Sequence, residues 1–454
     1  MSANLNNNFR GDLLMRKSLT LAMALALGVT ASAYAANPFS DVPQGHWAYD
    51  SVQQLAVDGV IEGYEKEAFG GDKLLTRYEM AQVVAKAMAK GANCDKLAAE
   101  FADELDTLGV RVAKLEKGAD AVKITGEVRY HYADKDVQRV KVRGGIAEAG
   151  GDFYENQLRT RIWVQGQVND DWKYIGMIQN TQEFDNEAGE ENIQFQRAYV
   201  EGKLGGVDVT AGRYNVFLVN GNLYDTRADG IEVSYGKDVK WTAFYMKPTD
   251  QDGTIAVTND PQKVDLKYGN AWGVKVDTNV GAAKATAGYT VFEDGELQKP
   301  NGLPASAADD NKIWNVGVAF DIAKDLALTA DYLKADMEKV DVFKFDGDDG
   351  LVIGLNYKGA NASEPGTYGV YANYYNQARG TVIAHTMNGY YGVNGFKGYM
   401  IGANYTIAKN VVASLEWYDL ESKGMEWLGN GNIAGHTDPK QDMQTLWAQV
   451  LFTF

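Results

Sequence analysis

Charged residues recur at every second position in three stretches: Glu127 and Arg129, Arg159 and Arg161, then Arg197, Glu201 and Lys203 in step. Successive side chains of an extended strand point to opposite faces, so each set shares one face. The opposite faces are apolar: Leu158, Ile162 and Val164 flank the second set, and Ala198, Val200 and Leu204 the third. Rows of fixed charge on a wall steer ions and polar solutes through water, which is selectivity chemistry and not bond-breaking. Catalysis has little to start from. The chain has 4 histidines, of which His131, His385 and His436 are scattered, and no G-x-S-x-G or H-E-x-x-H run occurs. A barrel hydrolase is therefore a remote reading, and no catalytic residue, metal site or cofactor is expected.

A second constellation lies near the start. Thr76-Arg77-Tyr78-Glu79 has the spacing of a capping box, with Thr76 at the N-cap and Glu79 reaching back. Arg77 gains nothing from the helix dipole, which favours anions at that end. An outward arginine there suits a ligand.

These residues need elements to hold them. Arg16 and Lys17, an apolar run from Leu19 to Val29 and Ala33-Tyr34-Ala35 predict a signal peptide over 1–35. From about Lys123 onward the chain alternates in strand fashion, giving sixteen candidate strands. Brief turns such as Asn169-Asp170 and Gly205-Gly206 alternate with long polar segments near 133–156, 185–191, 216–228, 248–270, 294–311, 337–348, 377–397 and 422–441. Long and short connections in strict alternation are expected of an up-and-down barrel in an outer membrane, with both chain ends on the periplasmic side. Lipid offers the backbone no partners, so such a sheet must close on itself and face outward with apolar side chains. The chain ends on LWAQVLFTF, whose last strand closes the cylinder against the first. Net charge is −17, which argues against nucleic acid as partner. Cys94 is the only cysteine, so no intrachain bridge can form, and it would lie on a stalk axis open to an interchain one.

Sixteen strands enclose water, so passive diffusion of small polar solutes is implied. The pore-lining candidates are Glu127, Arg129, Arg159, Arg161, Arg197, Glu201 and Lys203. The third long segment carries Phe217, Leu218, Val219 and Leu223, which suit packing inside a barrel. In sixteen-stranded porins, which this segment resembles, that loop folds inward. Asp225, Arg227 and Asp229 would then face Arg159 and Arg161.

Phe39, Asp41, Val42, His46, Trp47, Val52, Leu55, Gly59, Ile61, Gly63, Phe69, Thr76, Arg77 and Glu79 resemble an S-layer homology (SLH) domain, although that family's motif has Ala where Tyr78 stands. Together with the barrel, the chain resembles the OmpM class of SLH porins. The resemblance implies a grip on peptidoglycan, diamine-modified in related proteins, through Asp41, Trp47, Arg77 and Glu79. Cys94, Ala98, Phe101, Leu105, Leu108, Val112 and Leu115 fall at spacings of four and three, a short heptad seam. Porins of this type are usually trimers, so a homotrimeric stalk on Phe101, Leu105, Leu108, Val112 and Leu115 is expected. The expected fold is thus mainly β, a 16-stranded antiparallel transmembrane β-barrel (121–454) after a small α-helical SLH domain (36–92) and a coiled-coil stalk (93–120). The barrel would sit in outer-membrane lipid, with the SLH domain and stalk in the periplasm. A plugged barrel acting only as tether is the alternative.

Overall fold

A computed structural model describes residues 76–89, 101, 103–105, 122–142, 147–184, 193–251, 254–258, 262–298, 306–392, 394–428 and 435–454. The chain divides into two compact units, Met1–Val122 and Lys123–Phe454.

In the first unit, helix α1 (Arg77–Ala89) begins directly after Thr76. Its buried face is Ala81, Val84 and Ala87, small residues three apart that permit close approach of a neighbour. Phe101 and Leu105 are joined by a helical hydrogen bond from the Leu105 amide to the Phe101 carbonyl (2.8 Å). Asp41, Trp47, Cys94, Leu108, Val112 and Leu115 lie outside the described residues, as does the side chain of Glu79.

The second unit is a closed barrel of sixteen antiparallel staves. They are β1 (Val122–Val142), β2 (Ala147–Gln167), β3 (Trp172–Glu183) and β4 (Gln194–Leu204). Next come β5 (Val207–Leu218), β6 (Tyr224–Tyr235), β7 (Val239–Pro248) and β8 (Gln262–Val280). The third group is β9 (Ala283–Gln298), β10 (Asn311–Ala323), β11 (Leu326–Ala335) and β12 (Asp349–Lys358). The last four are β13 (Tyr368–Ala378), β14 (Gly395–Ala408), β15 (Val411–Ser422) and β16 (Asp442–Thr453). Each pairs with its sequence neighbour, and β1 pairs with β16 from Glu127 opposite Thr453 to Val137 opposite Met443. No backbone edge is left for lipid to face.

The closure reaches the last residue. Phe454 and Gly126 exchange backbone hydrogen bonds of 2.8 and 3.0 Å. A Cβ on Gly126 would stand 2.3 Å from the Phe454 ring, so only glycine lets that ring lie across the seam.

The outer face is apolar and the inner face mixed. On β10, Trp314, Val316 and Val318 are exposed, whereas Asn311, Ile313 and Asn315 are buried. The same alternation exposes Trp241 and Tyr245 on β7 and Tyr399 and Ile401 on β14. Exposed aromatic and branched side chains on every second position are stable only against an apolar solvent.

The connections sort by length. One end has the short turns, of which the segment 359–367 is the longest; the other has the long loops. Two expected loops are shorter than their sequence suggested. β1 and β2 run on to Val142 and from Ala147, because antiparallel pairing continues beyond the height that about ten residues would span. Likewise 216–228 is mostly paired strand, and only 219–223 is loop. At the long-loop end, Lys339–Val340, Phe343–Phe345, Met425–Trp427 and His436–Asp438 form a separate four-stranded sheet. It is built from the β11–β12 and β15–β16 loops, with Phe343 packed edge-on to Trp427 at 4.9 Å.

Candidate functional site: a basic wall beside two inward segments

Two segments fold into the barrel interior. The first is the tip of the β5–β6 hairpin. Val219 and Asn220 take positive φ, which turns the chain sharply. Leu218, Leu223 and Tyr224 are buried in one cluster with Phe244, Met246, Phe292, Ile313 and Leu333, the inward residues of β7 to β11. The amides of Asn220 and Asn222 donate to the Asp331 carboxylate on β11 (2.9–3.1 Å). Asp331 is only 2% exposed, and these two amides satisfy a carboxylate that would otherwise be costly to bury.

The second device is the segment 379–394 between β13 and β14. The sequence places it among exterior loops; the structure folds it inward. Its signal was available, since Val382, Ile383, Ala384, Tyr390 and Tyr391 are too apolar for a loop displayed to water. Val382 packs with Tyr375, Phe396, Tyr418 and Trp447 in a second cluster along β12 to β16 and β1. The two devices meet. Tyr224 and Ala384 form a parallel bridge, the Asp225 amide donates to the Ala384 carbonyl (2.8 Å), and the Thr386 amide donates to the Gly221 carbonyl (3.0 Å).

His385 sits beside this junction. Its Nδ1 accepts from the Met387 amide (3.0 Å), so Nε2 carries the proton and donates to Gln377 Oε1 (3.0 Å). Tyr375, Tyr391 and Phe396 surround the ring. Burial pushes its pKa well below the ordinary value, to about 3, so the ring is neutral at pH 7.

Beside the partition a cavity of about 840 Å³ remains. Arg129, Arg159, Arg161, Arg197 and Glu201 line one side, and Asp225, Asp250, His385 and Asn388 also border it. Glu127 accepts from Arg159 (2.9 Å) and Arg161 (3.3 Å). Arg161 also donates to Gln179 on β3 (2.7 Å), and Arg129 lies 5.4 Å over the Trp447 ring. Lys203 is more exposed and lines a separate cavity at the short-turn end with Lys173, Asp208 and Lys240. Asp225 thus shares a cavity with Arg159 and Arg161. Arg227 pairs instead with Asp250 (2.8 Å) and Gln196, and Asp229 with Arg213 (2.6 Å).

In the other unit, Arg77 donates to Glu104 (2.7 Å) and lies 4.9 Å over the Phe101 ring. That hydrogen bond holds the Glu104 carboxyl below its ordinary range. Sequence reasoning placed Arg77 facing ligand and did not foresee this linker partner.

Comparison with known proteins adds to this geometry. The S-layer homology domain model matches residues 38–81. Outer membrane protein SlpA of Deinococcus radiodurans is 34% identical over 179 residues, 34% of this chain and 14% of the relative. The chain is an outer-membrane β-barrel protein with an S-layer homology domain. SlpA of Thermus thermophilus is 34% identical over 126 residues, 23% of this chain and 14% of the relative. Outer membrane protein alpha of Thermotoga maritima is 46% identical over 48 residues, 11% of this chain and 12% of that one. These matches span only 14%, 14% and 12% of the relatives' own lengths. Among solved structures, OprB of Pseudomonas putida aligns at a TM-score of 0.46 with 10% identity, covering 75% of this chain and 96% of that one. OmpF of Salmonella typhi aligns at 0.42 with 12% identity, covering 73% and 97%.

Proposed function

We propose that this protein is a porin-type diffusion pathway that also ties the outer membrane to the cell wall. The observation that carries the first half is the charged, water-accessible cavity inside a barrel whose outer face is apolar. Small hydrophilic solutes pass along the basic wall, and the two inward segments set the width. The role is passage and anchoring, not catalysis. The SLH domain supports the second half: such domains bind cell-wall polymers, here peptidoglycan, with Asp41, Trp47, Arg77 and Glu79 as the binding set. The SLH domain (36–92) and stalk (93–120) lie in the periplasm, and three copies join through Phe101, Leu105, Leu108, Val112 and Leu115.

Single-channel recording in a planar bilayer tests the pathway: discrete conductance steps are expected. Retention on purified sacculi tests the tether, with Asp41→Ala releasing the protein and sacculi carrying diamine groups retaining it best. A second reading has one specific observation in its favour. The hydrogen bonds between the hairpin tip and segment 379–394 close part of the lumen, as a tether with a plugged barrel requires. Sacculus retention without any conductance step would establish that reading and refute the porin.

A further inference from the structure

The cavity wall has a charge imbalance at close range. Four arginines border it, yet among the described residues the only carboxylate in ion-pair reach of any of them is Glu127, on Arg159 and Arg161. Among the described residues Arg129 and Arg197 make no salt bridge. Arg129 has the Trp447 ring, and Arg197 donates to Asn215 and to the Gln196 carbonyl. The buried Nε atoms of Arg129 and Arg159 have no acceptor.

Most of the carboxylates near the cavity are engaged elsewhere. Asp225 accepts from Asn215 (2.8 Å), Glu201 from Lys173 (2.7 Å), and Asp250 pairs with Arg227. Glu416 accepts from Tyr371, Tyr418 and Asn388. Glu232 lines both this cavity and the one toward the short-turn end that also holds Lys173, Lys203 and Lys240, and no arginine among the described residues is in ion-pair reach of it. Four of the acids have donors of their own, whereas Arg129 has only the Trp447 ring as its close partner among the described residues. A half-buried guanidinium with a spare N–H is a fork for planar or tetrahedral oxygens.

We propose that Arg129, Arg159, Arg161 and Arg197 form an oxyanion-binding subsite, so that small carboxylates and phosphates are the solutes this lumen holds and passes. The inference rests on the reading of the barrel as a solute pathway, and it names the solute class. A carboxylate or phosphate accepts from the cavity-facing guanidinium of Arg129, with Arg159, Arg161 and Arg197 adding charge along the path. Glu127 holds two of the four guanidiniums apart and keeps the site from binding an anion irreversibly tightly.

Equilibrium dialysis of the detergent-solubilised full chain tests this without requiring current. The probes are labelled succinate, inorganic phosphate and, as the cationic control, putrescine. Saturable binding of succinate or phosphate, mutually competitive and weakened by salt, is expected; putrescine is not retained. The preferred anion identifies the source, a carboxylate or a phosphate. Arg129→Gln with Arg159→Gln weakens binding by about tenfold or more, since the first loses a charge-assisted hydrogen bond and the second a charge. Arg129→Lys with Arg159→Lys retains the charge and recovers part of the affinity, which separates a lost site from a lost fold. Lys334→Gln, an exposed lysine paired with Asp348 outside the cavity, leaves binding unchanged. In bilayers the Gln pair lowers the anion-to-cation permeability ratio by about threefold, the effect of unit charges roughly 7 Å away screened by salt. Anion binding that is absent, or unaffected by the Gln pair, overturns the site. Conductance without anion preference refutes it while leaving the pathway standing, and binding without conductance does the reverse.

Discussion

Lowering pH should unfasten segment 379–394, and His385 is where this acts. In place, the ring is neutral, donates from Nε2 to Gln377 and accepts at Nδ1 from the Met387 amide. A second proton must go on Nδ1, where it confronts that N–H. Burial holds the folded pKa at about 3, against about 6.5 for a solvated imidazole. A depressed histidine binds fewer protons in place than when released. The segment's stability is therefore full above about pH 6.5 and falls as pH drops from there toward the folded pKa. At pH 5 the loss is about 2 kcal/mol, close to a thirtyfold shift toward the released state. His385 borders the cavity and keeps part of its surface wet, which tempers the displacement. Half the displacement still gives about 2 kcal/mol at pH 5, because the folded pKa stays below the test pH. The assay is single-channel recording at pH 7 and pH 5, with limited proteolysis of segment 379–394 under the same conditions. Wild type should show more frequent conductance fluctuation and faster cleavage at pH 5. His385→Gln, with an amide for each partner and no titration, should show neither change. Equal acid sensitivity in both proteins would refute the reasoning.

Three further outcomes are expected. Gly126→Val drives a side chain into the Phe454 ring, so barrel closure should fail, read as loss of the heat-modifiable folded band on gels. Asp331→Ala strands the Asn220 and Asn222 amides and should cost about 1–3 kcal/mol, freeing the hairpin tip and raising mean conductance and noise. Val316→Asp on the outer face of β10 should slow insertion into vesicles, whereas Val316→Leu, which keeps that face apolar, should have little effect.

Much of the barrel was legible because lipid imposes a period of two. Trp314, Val316 and Val318 have no alternative to facing out once Asn315 and Gly317 face in. Loop behaviour was harder to read, since pairing length is a tertiary property. Nothing local tells β1 to continue to Val142 or β5 to Leu218; each continues because its partner does. The basic wall was readable from spacing alone in Arg159 and Arg161. Its relation to Trp447 was not, because β1 meets β16 only on closure. Asp331 and Asn220 also escaped notice, and His385 was read only as one of the scattered histidines. Each is an ordinary polar residue in its own stretch, and the roles of Asp331 and Asn220 come from partners far off in sequence. Arg77 was singled out for its unfavourable place at a helix start, and Glu104 beside it supplies a compensation that the heptad pattern did not reveal.

The small sheet over the long-loop end has a consequence for biogenesis. Its strands come from Lys339–Phe345 and from Met425–Asp438, and the second group lies just ahead of the final stave. That sheet cannot form until the chain has been delivered as far as Asp438. A nascent barrel therefore lacks this sheet until late, and the arrival of Trp427 against Phe343 marks a molecule whose long-loop end has been assembled. An antibody specific for that junction would distinguish completed copies from stalled ones on intact cells.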